Sequence, residues 1–345
     1  MASFKLFKRK IEETAQMDAA ENAIALKEVE GLSQRQIVFK RFIHHRAAMV
    51  ALFALLTIIA IVNTALDFKI GPWKIHGWWK YKIDDIPELR YLDCPGGNVG
   101  CPTLKLFPPS LGEHPFGQDD IGRDYLALVM RGAQRSLMVA IVIGLLGGFL
   151  GTVIGSIAGF YRGKVDAILM RLTDFVITVP AIIIGSVIGF RYGNLGAGFL
   201  AIYLGLFSWT GLARLVRGEF LKLREMEFVD AARVAGASNR RIIFKHILPN
   251  AVGIIIVSVT LLMSSAILLE TALSYIGFGV VAPDVSLGLL ISTYQDSFTS
   301  RPFLFWWPGF FIISIALSIN FIGDGLRDAF DPRQRRRVSR KERAR

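Results

Sequence analysis

The sequence predicts an all-α, polytopic membrane protein with six transmembrane helices. Three observations point there. Of the 345 residues, 52% are hydrophobic, and they fall in long apolar runs that soluble domains rarely carry. Six runs, roughly 47–66, 137–160, 167–190, 195–213, 251–270 and 303–322, approach the length of about 20 residues that crosses a bilayer as a helix. The net charge of +12 is unevenly placed. Lys and Arg crowd the first 46 residues, the 214–245 interval and the tail, whereas the loop after the third run holds only Arg191 and the loop after the fifth only Arg301. Basic loops stay on the cytoplasmic side, so both termini and the 214–250 loop are expected inside. Charges that flank apolar runs in this way argue for the lipid bilayer as a partner and against nucleic acid.

Residues 1–46 form a charged, weakly amphipathic arm that suits a solvated segment or an interfacial helix at the inner headgroups. They carry no short apolar core of the kind a cleavable signal peptide needs. The first span, 47–66, is followed by Trp73, Trp78 and Trp79, an aromatic belt at the outer interface.

Residues 67–136 are expected as an external loop, translocated despite its basic residues because long loops cross largely regardless of charge. It holds the only two cysteines, Cys94 and Cys101. Outside the cytoplasm two cysteines this close should oxidise, and the Pro and Gly between them let the chain turn. A metal site is the alternative, but two ligands without a nearby His are too few. At the end of the loop, Asp119, Asp120 and Asp124 fit a turn and helix start, with acids at the positive end of the dipole. A metal or substrate site at those three acids is the competing expectation.

The second span carries Gly147, Gly151, Gly155 and Gly159 on one face, with Gly144 and Gly148 beside them. Small residues at this spacing let helix backbones approach closely in lipid, so this helix is expected buried among others. The third span opens with Asp166, Arg171 and Asp174. Ionisable groups in a membrane are expensive; pairing of Arg171 with Asp174 is expected, with a gating role as the alternative. The fourth leads through Arg214 and Arg217 into the longest polar interval between spans after the first loop. The fifth carries Ser258, Thr260, Ser264, Ser265 and Glu270. A wet face lining a channel, at Ser258, Ser264, Ser265 and Glu270, suits that composition, and interhelical hydrogen bonding suits the individual hydroxyls equally. Residues 286–293 suit a short helix on the outer face, and Trp306 and Trp307 mark the outer interface of the sixth span. The basic tail, 326–345, suits anionic lipid.

The 227–250 interval has its own pattern. Phe228, Ala231, Ala232 and Ala235 recur at three- and four-residue spacing, one face of a short helix. Gly236 stops the pattern, since glycine enters the left-handed conformation at a helix C-terminus without penalty. Ser238 is placed to cap a second short helix through Ile247, with Pro249 ending it. The interval, from Asp230-Ala231-Ala232 through Gly236 to Leu248-Pro249, resembles the EAA loop of ABC-importer permeases. Asp230 stands where that pattern has Glu, and His246 where it often has Ile. Gly117-x-Asp119 through Gly122-Arg123-Asp124, then Arg131-Gly132-Ala133 to Ser136-Leu137, and the stretches 270–279 and 320–332, resemble the C-type permease of dipeptide and oligopeptide importers.

That resemblance, over roughly residues 36–334, implies a type I ABC-importer permease fold in a bacterial cytoplasmic membrane. It implies that Asp230, Ala231, Ala232, Gly236, Ala237, Ser238, Arg240, Leu248 and Pro249 form a coupling element that docks on an ATPase. The implied partners are a homologous B-type permease, two cytoplasmic ATPases and an external solute-binding protein. ATP and Mg²⁺ would bind at the ATPases, with no cofactor on this chain, which shows no Walker A, Gly-x-Ser-x-Gly or His-Glu-x-x-His sequence. Peptide is the implied solute; a nickel chelate, glutathione or an oligosaccharide are alternatives on the same architecture. A secondary transporter would instead show inverted repeats with broken helices.

Overall fold

A computed structural model describes residues 34–70, 73–87, 100–105 and 110–330. The chain is a helical bundle with one short hairpin. Helices α1 (Gln34–His44) and α2 (Arg46–Ala65) are followed by antiparallel strands β1 (Phe68–Ile70) and β2 (Trp73–Ile75). Then come α3 (Tyr125–Tyr161), α4 (Gly163–Thr178), α5 (Ala181–Tyr192), α6 (Ala197–Phe207), α7 (Thr210–Leu223) and α8 (Glu227–Val234). A continuous helical segment, α9 (Asn239–Tyr275), precedes α10 (Leu287–Tyr294) and α11 (Phe303–Phe330).

Five helical segments are long and apolar enough to cross a membrane, and the bent pair α4–α5 makes a sixth crossing if counted as one span. All six expected spans are therefore present, with two differences. α3 starts at Tyr125, twelve residues earlier than its apolar run, because Asp124 accepts a hydrogen bond from the Ala127 amide at 2.9 Å and caps it. The expected loop thus ends at 124. The third span is not continuous: α4 and α5 are bent by 70° at Val179-Pro180. Proline lacks the N–H that a helix interior needs and clashes with the preceding turn.

α3 is the centre of the bundle. A side chain at Gly151 would meet the Trp209 carbonyl and Leu212, one at Gly155 the Ala213 carbonyl, and one at Gly159 the Arg217 carbonyl. Gly144 and Gly148 face Met263 and Val259 of α9. The glycine row is thus a groove that admits the backbone of α7 on one side and the side chains of α9 beside it.

At the hairpin end, polar groups tie the loops to the bundle. Asp124 also accepts from Trp79 Nε1 at 2.9 Å and lies 2.7 Å from His114 Nδ1. His114 stacks on Tyr81. Buried Asp119 accepts from the Ile121 and Arg123 amides, from Arg123 Nε and from the Tyr294 hydroxyl, and Asp120 pairs with Arg301. These acids are committed to turns and caps. Among the described residues no group of three or more His, Cys, Asp or Glu could hold a metal, which corrects the metal alternative for Asp119, Asp120 and Asp124. Burial and the Asp119 charge push the Tyr294 hydroxyl well above its ordinary range. Burial alone would lower the Arg123 guanidinium, but its bond to Asp119 and the charge there outweigh it and raise it. Burial lowers Arg301. The Cys94–Cys101 pairing falls on Cys94, outside the described residues.

Candidate coupling surface and channel face

At the other end of the bundle, the chain leaves α7 and makes a compact knob. α8 closes in a Schellman turn: the Gly236 amide donates to the Arg233 carbonyl at 2.9 Å and the Ala237 amide to the Ala232 carbonyl at 3.0 Å. That geometry needs a left-handed residue after the helix, and Gly236 has φ of +77°. Ser238 then caps the next helix, its Oγ accepting from the Arg241 amide. Under the knob, Val229, Ile242, Ile243, Ile247 and Ala251 pack against Phe160, Leu212, Val216, Phe220 and Leu223. Ala232, Ala237 and Leu248 border that core.

Two local expectations change. The exposed face of α8 carries Phe228, Ala231 and Ala235, with Val234 90% exposed; the buried residue is Val229. The expected apolar stripe therefore points largely away from this chain. Asp230 pairs on the surface with Arg233, whose Nη1 lies 2.9 Å away. Pro249 does not end the second helix. Residues Ile242–Ile247 form a wide π-turn in which the Leu248 amide reaches back to the Ile243 carbonyl, and the helix runs on to Tyr275. A wide turn just before Pro249 accommodates the donor that proline lacks.

The exposed side combines Phe228, Val234 and Phe244 with Arg233 and Arg240. A shallow hollow of about 400 Å³ lies between Ser238, Arg240, Arg241 and Phe244. Polar ties fasten this knob to its neighbours: Arg162 pairs with Glu225 at 2.6 Å, and Arg224 Nη1 donates to the Phe160 carbonyl. Burial, then the charges of Arg162 and Arg233, push the Arg224 guanidinium down. An apolar patch rimmed by fixed charges on a rigid elbow can dock a complementary surface; it has no groups arranged for chemistry.

The expected channel residues separate. Ser264 is buried and donates to the Ala316 carbonyl of α11 at 3.1 Å. Glu270 is buried and accepts from Ser136 at 2.9 Å and Ser274 at 2.7 Å. Both are interhelical ties rather than lining groups, a correction to the wet-face expectation. Ser265 is exposed and Ser258 half-buried. Hydroxyl composition was visible in the sequence, but which face each hydroxyl takes depends on the neighbouring helix. Asp174 also finds a different partner from the expected Arg171: Arg214 of α7, at 2.6 Å. The Asp166–Arg217 pair, at 2.5 and 2.6 Å, was not anticipated, since nothing local brings residues 51 positions apart together.

Comparison with known proteins agrees with this architecture. Residues 151–336 match the family model described as binding-protein-dependent transport system inner membrane component. Several relatives bear the name oligopeptide transport system permease protein OppC. The one from Salmonella typhimurium is 38% identical over 319 residues, 92% of this chain and 97% of the relative. The one from Mycobacterium tuberculosis is 34% identical over 304 residues, 88% of this chain and 96% of the relative. A chain of an inward-facing structure of the MetNI methionine ABC transporter superposes with a TM-score of 0.50 at 18% identity, covering 59% of this chain and 96% of that one; at that identity the likeness concerns the fold alone. The six crossings, the elbow at Gly236 and these matches together place the chain in the family of binding-protein-dependent transport system inner membrane components.

Proposed function

We propose that the chain is the C-type permease subunit of an ATP-driven peptide importer in a bacterial cytoplasmic membrane, with both termini and the Gly236 knob on the cytoplasmic side. The observation that carries it is the 34–38% identity, over nearly full length, to proteins named as oligopeptide permeases. A homologous permease completes the channel, two cytoplasmic ATPases bind and hydrolyse ATP with Mg²⁺, and a solute-binding protein delivers the peptide. This chain supplies half the path and the docking knob, and no catalytic group. Asp230, Ala231, Ala232, Gly236, Ala237, Ser238, Arg240, Leu248 and Pro249 form the docking element. Phe228, Val234 and Phe244 provide its apolar contact, and Ser258 and Ser265 remain candidates for the channel face. The single break in α4–α5 has no counterpart in a second repeat among the described residues, which disfavours a secondary transporter.

The test is ATP-dependent uptake of tri-alanine by proteoliposomes holding the permease pair and ATPases, with the binding protein supplied. Uptake that needs ATP, the binding protein and this chain supports the proposal. Mass spectrometry of the molecule retained by the purified binding protein gives the solute directly; a nickel chelate, glutathione or a sugar there overturns the peptide assignment.

A further inference from the structure

Two features near the middle of the third crossing are incompatible with lipid on the side they face. The first is the break between α4 and α5. No backbone hydrogen bond crosses it among the described residues, and the first bonds of α5 run from Ile183 and Ile184 to the Pro180 carbonyl, at 2.9 and 3.2 Å. The carbonyls of Val176, Ile177 and Thr178 therefore end α4 as acceptors without helical donors. Residues 177–183 are all exposed on this chain. Irregular backbone at membrane depth persists only where other protein covers it or where it lines water.

The second feature is the Asp174–Arg214 pair, one turn from the break, with each side chain 50% exposed. Charged side chains within spans face the bundle interior or a water-filled cavity. By helix rise Thr178 lies about 22 Å from the Gly163 end, well inside a hydrocarbon core about 30 Å thick. A half-exposed ion pair at such depth points to water rather than to a second packed helix alone. Of the side chains at the break, Ile177, Val179 and Ile182 are apolar and the Thr178 hydroxyl spends its proton on the Asp174 carbonyl at 2.8 Å, so most of the acceptors offered there belong to the main chain.

We propose that the break at Thr178–Ala181 lies on a water-filled translocation path, and that the carbonyls of Val176, Ile177 and Thr178 accept hydrogen bonds from main-chain N–H groups of a peptide in transit. The proposal rests on the peptide-importer assignment and deepens it. Peptides of differing sequence share only their main chain, and backbone acceptors recognise that without regard to side chains. In secondary transporters the carbonyls of unwound helices likewise face the transport path, where they coordinate the coupling ion.

The test uses the complete transporter with Cys94→Ser and Cys101→Ser, first shown to transport. Val179→Cys and Ile182→Cys are compared with Phe53→Cys and Leu56→Cys on the exposed face of α2. A charged, membrane-impermeant methanethiosulfonate should react at 179 and 182 about a hundredfold faster than at 53 and 56, the factor set by the difficulty of bringing a charge into lipid. Excess tri-alanine should slow the reaction at 179 and 182 several-fold, and tri-alanine methylated on its amide nitrogens should not. Rates at 179 and 182 no faster than at the α2 positions overturn the path, whether lipid or the partner permease covers the break. Fast reaction that tri-alanine leaves unchanged, or that the methylated peptide slows equally, overturns the carbonyl contact. Failure of the peptide assignment shows separately, as absence of tri-alanine uptake by the unsubstituted transporter.

Discussion

Arg217 grips Asp166 with two guanidinium nitrogens, Nε at 2.5 Å and Nη2 at 2.6 Å, and so fastens the foot of α4 to α7. A two-point bond of this kind fixes direction as well as distance. With α4 otherwise presenting mostly exposed side chains, the bond and the Asp174–Arg214 pair above it hold the bent crossing to the bundle.

Arg217→Gln should therefore lower stability by about 1.5–3 kcal/mol, the usual range for a hydrogen bond to a charged group. Thermal unfolding of the detergent-purified protein, followed by tryptophan fluorescence, measures it. Exchanging the pair, as Asp166→Arg with Arg217→Asp, should recover part of the loss. An unchanged transition in Arg217→Gln would show that the pair does not hold α4.

Gly236→Val tests the elbow. No atom lies within 4 Å of the added Cβ, so the cost is confined to a left-handed backbone, about 1–2 kcal/mol. Membrane abundance should stay near normal while transport and stimulated ATP hydrolysis fall sharply. Gly236→Asn, which tolerates that conformation, should keep most of the activity. Native-rate transport by Gly236→Val would remove the elbow from coupling.

The glycine groove makes a sharper steric prediction. At Gly155 an added Cβ would stand 2.4 Å from the Ala213 carbonyl, whereas at Gly309 nothing lies within 4 Å. Gly155→Val should cost about 1–3 kcal/mol, as is typical of an overpacked interior, and reduce the yield of folded protein. Gly309→Ala should be neutral in the same size-exclusion and thermal assays.

The hairpin end should weaken in alkali. The folded-state value of the Tyr294 hydroxyl is raised above its ordinary 10.0 by burial and by Asp119. Above that ordinary value the unfolded chain gives up the proton and the folded one keeps it, so stability is full below it and falls as pH rises beyond it. The unfolding temperature should fall as pH rises beyond about 10, and Tyr294→Phe should fall less steeply. Equal slopes would show that another group governs the alkaline limit.

Cys94 and Cys101 are expected to be joined in the mature protein. Alkylation without reductant, followed by intact-mass measurement, should add no label. A loop this short constrains the unfolded chain by roughly 2–3 kcal/mol, so the double serine variant should keep its six crossings.

The six crossings were legible because apolar length and the placement of basic residues depend on the bilayer alone. The elbow was legible too, since Gly236 and Ser238 act within a few residues of themselves. Pro180 was an available but unused signal of the break in the third span. Pro249 misled because a π-turn can absorb a missing donor, and that turn is stabilised by the core packing of Ile242, Ile243 and Ile247. Charge pairing was the least legible. Asp174 had Arg171 three residues away and still meets Arg214 across forty residues, since helix packing, not spacing, decides which cation arrives. The same holds for Ser264 and Glu270, whose polarity was plain while their inward direction was not.

The continuous run from Asn239 to Tyr275 has a mechanical consequence. Thirty-seven helical residues make a rod about 55 Å long, with Arg240 at one end and Glu270 near the other. No break separates the Gly236 knob from the membrane crossing, so under the proposed coupling role a push at the knob would arrive as rotation or tilt of the whole lever. The wide turn at Ile242–Ile247, where the hydrogen-bond register is already offset, is the point at which such a lever would give, and its stiffness would then set how much stroke reaches the far side.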